Sequence, residues 1–280
     1  MIRKPLNKPD SMHRRNKAKL LMLAAAAVIC CGVLLTSVFQ IVNVLAQRQS
    51  AELEYSHLRN RIALVPSEGG EMPPGVVESG IDTGEPETDT DGTAANIGEA
   101  EPDETKPKAT LWEINSDYVG WLAMPGTAID YPVVQGTDNT KYLTTTFEGN
   151  VNPAGAIFMD CGNTDGFASQ HVILYGHNMK DGGMFGSLKK YLDANFLARN
   201  PDITVMLADG SLHTYRIFSV RVTAAWDAAY RLDFADDADF AAFAEELGAP
   251  QGAIRLLSLS TCTDTGGKDK RLLVHSALIE

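Results

Sequence analysis

The longest apolar run lies near the N-terminus. From Leu20 to Ala46 the chain reads LLMLAAAAVICCGVLLTSVFQIVNVLA, 27 residues without a charge. About 20 apolar residues cross a bilayer core, so this stretch can span one with some tilt. Over 47–65 the pattern changes. Leu53, Leu58, Ile62 and Val65 recur at roughly helical spacing, which predicts a helical stem continuing the anchor outward. His57 reads as a solvated residue on that stem. Residues 66–108 show neither helical nor strand periodicity. They hold six prolines and no aromatic residue, and cannot bury enough apolar surface to offset the entropy of ordering. This predicts a disordered spacer.

From residue 109 onward the pattern is that of a folded domain. Residues 110–124 read as a helix ending before Pro125-Gly126. Short apolar runs at 128–134, 154–160 and 171–176 read as strands between turns. Residues 184–193 read as a helix. The runs 203–207 and 212–222 form a predicted hairpin around Asp209-Gly210. Residues 234–248 carry Phe240, Phe243 and Leu247 on one face, acids at the start and Gly248 at the end, the marks of an amphipathic helix. Residues 254–260 and 271–279 read as two buried strands. Many short strands with peripheral helices predict a mostly β domain closed as a barrel. A βαβ alternation and a glycine-rich nucleotide loop are both missing from the sequence.

Charge sharpens this division. The formal net charge is −12. It splits into about +6 over 1–20, +1 over 21–65, −10 over 66–108 and −9 over 109–280. The excess of Lys/Arg before the apolar run predicts a cytoplasmic N-terminus and an exported C-terminus. A cleaved signal peptide is the rival reading, with Val44-Leu45-Ala46 as a loose cleavage pattern. The run is much longer than an ordinary signal core, which favours a retained anchor. An acidic average argues against nucleic acid as a partner. Four cysteines are too few for a disulfide scaffold.

The candidate chemistry sits at strand ends. Cys262 follows the strand 254–260 and precedes a loop containing Gly266 and Gly267. Arg271 opens the next strand. If those strands pair, Cys262 and Arg271 lie at the same end of the sheet, where a guanidinium favours a thiolate and stabilises an oxyanion. His177 follows another strand end. Nucleophile, acid/base and anion stabiliser can therefore converge. Cys161 is the rival nucleophile, but has no neighbouring base or arginine in sequence. His171 and His275 read as structural, and His213 as a solvent-facing strand residue. Cys and His lack zinc-ligand spacing, so neither a metal nor another cofactor is expected. Lys268 and Lys270 beside Arg271 read as a solvated basic loop.

Five ordered stretches resemble the sortase family, and class B most. They are Asn115 to Leu122 with Pro125-Gly126-Thr127 and Ile129 to Gln135; Gly155 to Asp160; Ile173 to Met179; Leu259 to Thr263; and Arg271 to Val274. The resemblance covers roughly 110–280. It implies a closed β-barrel of about eight strands with peripheral helices. It also implies a membrane-anchored cysteine transpeptidase without cofactor. Cys262 would attack the carbonyl after Thr in a C-terminal sorting motif of LPxTG or NPxTN type. Arg271 would hold the oxyanion and His177 would move the protons. Tyr175, Ser260, Thr261, Thr263 and Tyr230 would lie along the peptide groove. The implied partners are surface proteins bearing a sorting signal and a peptidoglycan-precursor amine. A pilin lysine is the alternative acceptor, and a non-catalytic surface-binding module the alternative function. Where some class B members place Asn after a Lys-Tyr-Leu stretch, this chain has Thr144.

Overall fold

The computed structural model describes residues 10–63, 110–263 and 269–280. The predicted acidic spacer at 66–108 lies outside the described residues. The first helix, α1, runs unbroken over Asp10–Ala63. Large apolar side chains along its 20–45 stretch, Leu20 and Phe39 among them, are exposed. That is the surface a lipid environment would cover. One helix is long and apolar enough to cross a membrane among the described residues.

Residues 110–124 do not form one helix. Thr110 and Glu113 build a capping box that starts α2 (Leu111–Ile114), which stops after four residues. The Asn115 side chain accepts from the Asp117 amide and turns the chain. The rest becomes β1 (Tyr118–Ala123), whose residues are buried on both faces. Such near-continuous apolar runs look alike in buried strands and buried helices. The remaining elements are β2 (Asp130–Val134), β3 (Ile157–Met159), β4 (His171–Tyr175), α3 (Ala194–Arg199), β5 (Asp202–Leu207), β6 (Leu212–Ala224), α4 (Asp237–Leu247), β7 (Leu256–Cys262) and β8 (Lys270–Leu278).

The predicted helix at 184–193 is instead a 3-10 segment at Gly186–Leu192. Asp193 ends it and caps α3 through the Asn195 amide. The helix at 234–248 appears as α4, with Asp236 as its N-cap and Gly248 left-handed at its C-terminus.

The strands close a barrel in the order β1-β2-β3-β4-β7-β8-β6-β5, with β5 pairing back onto β1. The eight strands match the predicted barrel. Two pairs are parallel, β2 with β3 and β4 with β7; the others are antiparallel. The interior is filled by side chains such as Leu122, Val133, Ile157, Leu174, Val205 and Leu259, all essentially inaccessible. A second cluster packs Phe240, Phe243 and Leu247 of α4 against Leu256, Leu273 and Ala277 on the outer face of β7 and β8.

Two further expectations change. His213 does not face solvent. It lies on the same face of β6 as buried Tyr215, ring to ring at 6.3 Å, because residues two apart on a strand share a face. The stem docks through Ala51, Tyr55 and Leu58, spaced at one helical turn, while Leu53 is 55% exposed. The Tyr55 hydroxyl donates to the Gly155 carbonyl at 2.7 Å, and its ring meets Tyr131 edge-on. His57 is exposed, as expected.

Candidate active site

The barrel register builds the site. β4 and β7 run parallel, with Tyr175 beside Ser260. Continuing that offset by two residues sets His177 level with Cys262. The Gly176 amide donates to the Ser260 carbonyl at 3.3 Å, and the Thr261 hydroxyl donates to the Gly176 carbonyl at 2.7 Å. These bonds extend the pairing beyond the strand proper. On the other side β7 and β8 are antiparallel, and Cys262 is the register partner of Arg271. His177, just beyond β4, therefore forms one row with Cys262 on β7 and Arg271 on β8. All three line a single cleft of about 350 Å³.

Each member of the row is presented differently. Cys262 is exposed at the strand end. The Nε2 atom of His177 lies 2.7 Å from the Leu143 carbonyl oxygen. A carbonyl only accepts, so Nε2 carries a hydrogen and Nδ1 is left for other chemistry. Arg271 is partly buried, and its Nη1 donates to the Lys270 carbonyl at 3.0 Å.

The remaining wall is aromatic and hydroxylic. Tyr175 and Tyr230 stack with centroids 6.5 Å apart and planes 8° from parallel. The Tyr230 and Ser260 hydroxyls share a 2.8 Å hydrogen bond. Tyr175 donates to the Asp160 carboxylate at 2.7 Å. Burial, and then the Asp160 carboxylate, push the Tyr175 phenol well above its ordinary range; burial also raises Tyr230. Both rings thus stay neutral near pH 7.

Of the sequence-predicted groove residues, Tyr175, Ser260, Thr261 and Tyr230 line the cleft; Thr263 lies just past β7, outside the lining. Thr144 is exposed and also outside it. Cys161 is exposed at the end of β3, does not line the cleft, and its amide donates to Asn139. Sequence reasoning missed Asn139, Leu143 and Asp160 as lining residues. Leu143 acts through its backbone, which leaves no side-chain signal. Asp160 had one: a carboxylate directly after the strand 157–159, which pairs with β4.

His171 and His275 are fully buried, away from the cleft. Among the described residues, no group of three or more His, Cys, Asp or Glu could hold a metal.

The family model of the sortase domain matches residues 122–279. The chain is 34% identical over 181 residues to the sortase B of Listeria monocytogenes, covering 60% of this chain and 72% of that one. The chain belongs to the sortase family, class B. Sortases are cysteine transpeptidases. The sortase B of Bacillus anthracis, solved in complex with AAEK1, superposes with a TM-score of 0.54 at 35% identity, covering 61% of this chain and 82% of that one. A Staphylococcus aureus sortase B-substrate complex superposes with a TM-score of 0.54 at 33% identity, covering 61% and 83%. The matched part of the sortase fold contains the whole row of Cys262, His177 and Arg271.

Proposed function

We propose that this sortase cleaves a C-terminal sorting motif of LPxTG or NPxTN type after Thr and transfers the protein to a peptidoglycan-precursor amine. The observation that carries the reading is the row His177–Cys262–Arg271, in which His177 just past the end of β4 lies level with Cys262 on β7 and Arg271 on β8 in one cleft.

The Cys262 thiolate adds to the carbonyl carbon that follows Thr. The oxyanion that forms faces Arg271, whose fixed guanidinium stabilises charge that appears only in the transition state. The C–N bond then breaks. Protonated His177 gives its proton to the leaving amine, and a thioester remains on Cys262. The acceptor amine attacks that thioester while His177 takes its proton, and the thiolate is expelled. Tyr175, Tyr230, Ser260 and Thr261 form the wall against which an extended peptide lies, and Thr263 borders it. The substrate complex of the Staphylococcus aureus sortase B supports a peptide occupant for this cleft.

The Leu20–Ala46 stretch of α1 anchors the enzyme in the membrane. The seven Lys/Arg of residues 1–20 support a cytoplasmic N-terminus, with the barrel on the outer face of a Gram-positive-type envelope.

The test uses the full chain in nanodiscs with a panel of quenched sorting-motif peptides. Cleavage by the parent, its loss in Cys262→Ala, and conversion of hydrolysis product to ligated product on adding an amine are the expected results. Equal cleavage by Cys262→Ala overturns the assignment.

A further inference from the structure

The loop between β2 and β3 forms a small hairpin whose arms lie outside the cleft. Thr145 pairs with Val151 in an antiparallel bridge, and Gly149 turns the chain with φ +88°. On its returning arm, opposite Thr145, Val151 is 83% exposed. An isolated exposed valine is ordinary, but its position here is unusual. The hairpin is fastened to α1. Glu54 of α1 is 8% exposed. Its carboxylate accepts from the Thr146 hydroxyl at 2.8 Å, the Glu148 amide at 2.9 Å and the Asn150 side chain at 3.1 Å. A buried carboxylate with three donors is a built joint, because each lost donor leaves charge unsatisfied. Asn152 then donates to the Gln47 carbonyl at 2.6 Å and to the Ser50 hydroxyl at 3.3 Å.

Gln47 is the first residue after the apolar run of 27 residues. At 1.5 Å per residue that run is about 40 Å long, close to the thickness of a bilayer with its headgroups. A span of that length sets Gln47 at the outer headgroup level. Asn152, in hydrogen-bond contact with Gln47, is at the same level, and Val151 is its neighbour. The root of the same hairpin is Leu143-Thr144. The Leu143 carbonyl is the acceptor for His177 Nε2, and the Thr144 carbonyl accepts from the Asn152 amide.

We propose that the hairpin 144–152 is a membrane-contact surface. Docked α1 holds Val151 against the phospholipid headgroup layer, while the hairpin root positions His177. The partner is a lipid surface, not a protein: the contact is a single small apolar side chain, beside Asn152 and set at the end of a membrane span. The inference rests on the membrane-anchor reading of α1. It makes the barrel a body seated at the membrane surface through α1, so that the path from anchor to catalytic row does not run through residues 66–108.

The test places a benzophenone amino acid at 151 or at 254 in the full chain, reconstituted in nanodiscs of phosphatidylglycerol and phosphatidylethanolamine. Ile254 is 68% exposed and precedes β7, at the opposite end of that strand from Cys262. After irradiation, mass spectrometry should find phospholipid adducts at 151 and none above background at 254. Glu54→Ala should remove the adducts at 151 while the protein stays in the nanodisc. Adducts at neither position, or equally at both, in a chain that resists alkaline extraction overturn the contact and leave the anchor intact. A chain that alkaline carbonate strips from membranes overturns the anchor and the contact together.

Discussion

Tyr175 donates its phenolic hydrogen to the Asp160 carboxylate at 2.7 Å, within the cleft that holds Cys262. The other Asp160 oxygen accepts from the Gly162 amide at 2.8 Å, which fixes the carboxylate. Tyr175 is therefore held flat against Tyr230 by a charge-assisted bond. Asp160→Ala removes the acceptor and lets the ring swing. Loss of such a bond costs about 1–3 kcal/mol, which predicts a KM for a sorting peptide raised roughly 5- to 150-fold with kcat little changed. An equal fall in kcat with KM constant, in steady-state cleavage assays, would refute this positioning role.

Arg271 faces Cys262 across one step of the β7–β8 ladder. The oxyanion demands donors at a fixed place, and lysine offers a point charge on a flexible stem. Arg271→Lys should lower kcat by about 10²–10³-fold while melting stays near the parent. Cys161→Ala should leave turnover unchanged, since Cys161 lies outside the cleft. Paired kinetics of the two variants check both statements. A well-folded Cys161→Ala without activity would reassign the nucleophile.

Much of the barrel was legible because its strands are separated by turn residues and carry apolar runs of strand length. Cys262, His177 and Arg271 were legible as strand-end residues, and the parallel β4–β7 register then explains why two of them meet. Three things were not legible. Residues 118–123 are buried on both faces, so their pattern carries no period of two. The docking stripe of α1 includes the charged Glu54, which no hydrophobic pattern would select. The acceptor for His177 is a backbone carbonyl, which every residue possesses.

Gly155 sits where the hairpin returns to the barrel, with φ +60°. A Cβ there would come within 2.3 Å of the Tyr142 carbonyl oxygen and 2.9 Å of the Leu143 carbonyl oxygen. The second of these carbonyls accepts from His177, and the Gly155 carbonyl itself accepts from Tyr55. Gly155→Ala thus joins left-handed strain to a backbone clash. The strain alone costs about 1–3 kcal/mol. The melting midpoint should fall by at least about 2 °C, and kcat should fall with it. Melting and turnover like the parent's would show that the backbone relaxes freely there.

Acid should destabilise the fold through two buried histidines. His171 Nδ1 lies 2.7 Å from the Arg231 carbonyl, so that nitrogen is the donor and Nε2 must accept from Ser258 Oγ at 2.7 Å. Ser258 in turn accepts from His275 Nδ1 at 2.7 Å, leaving His275 Nε2 buried without a partner. The chain of bonds is complete only with both rings neutral. A proton on His275 Nε2 creates a buried N–H with no acceptor, and a proton on His171 Nε2 takes away the acceptor of the Ser258 hydroxyl. Burial pushes His171 down to about 4; burial, then the charges of Arg221 and His171, push His275 down to about 3. Both folded values lie below the ordinary histidine value of about 6.5, so the unfolded chain binds the extra protons first. Their stabilisation is fully present above about pH 6.5 and is lost as the pH falls toward the folded values. Each pH unit inside that window removes at most about 1.4 kcal/mol per ring. Thermal melts of the full chain should change little from pH 7.5 to about 6.5 and fall from there to pH 5.5, where most carboxylates are still ionised. His275→Gln should flatten that slope even if it lowers the midpoint at pH 7.5. A midpoint independent of pH over this range would contradict the neutral, closed chain of hydrogen bonds.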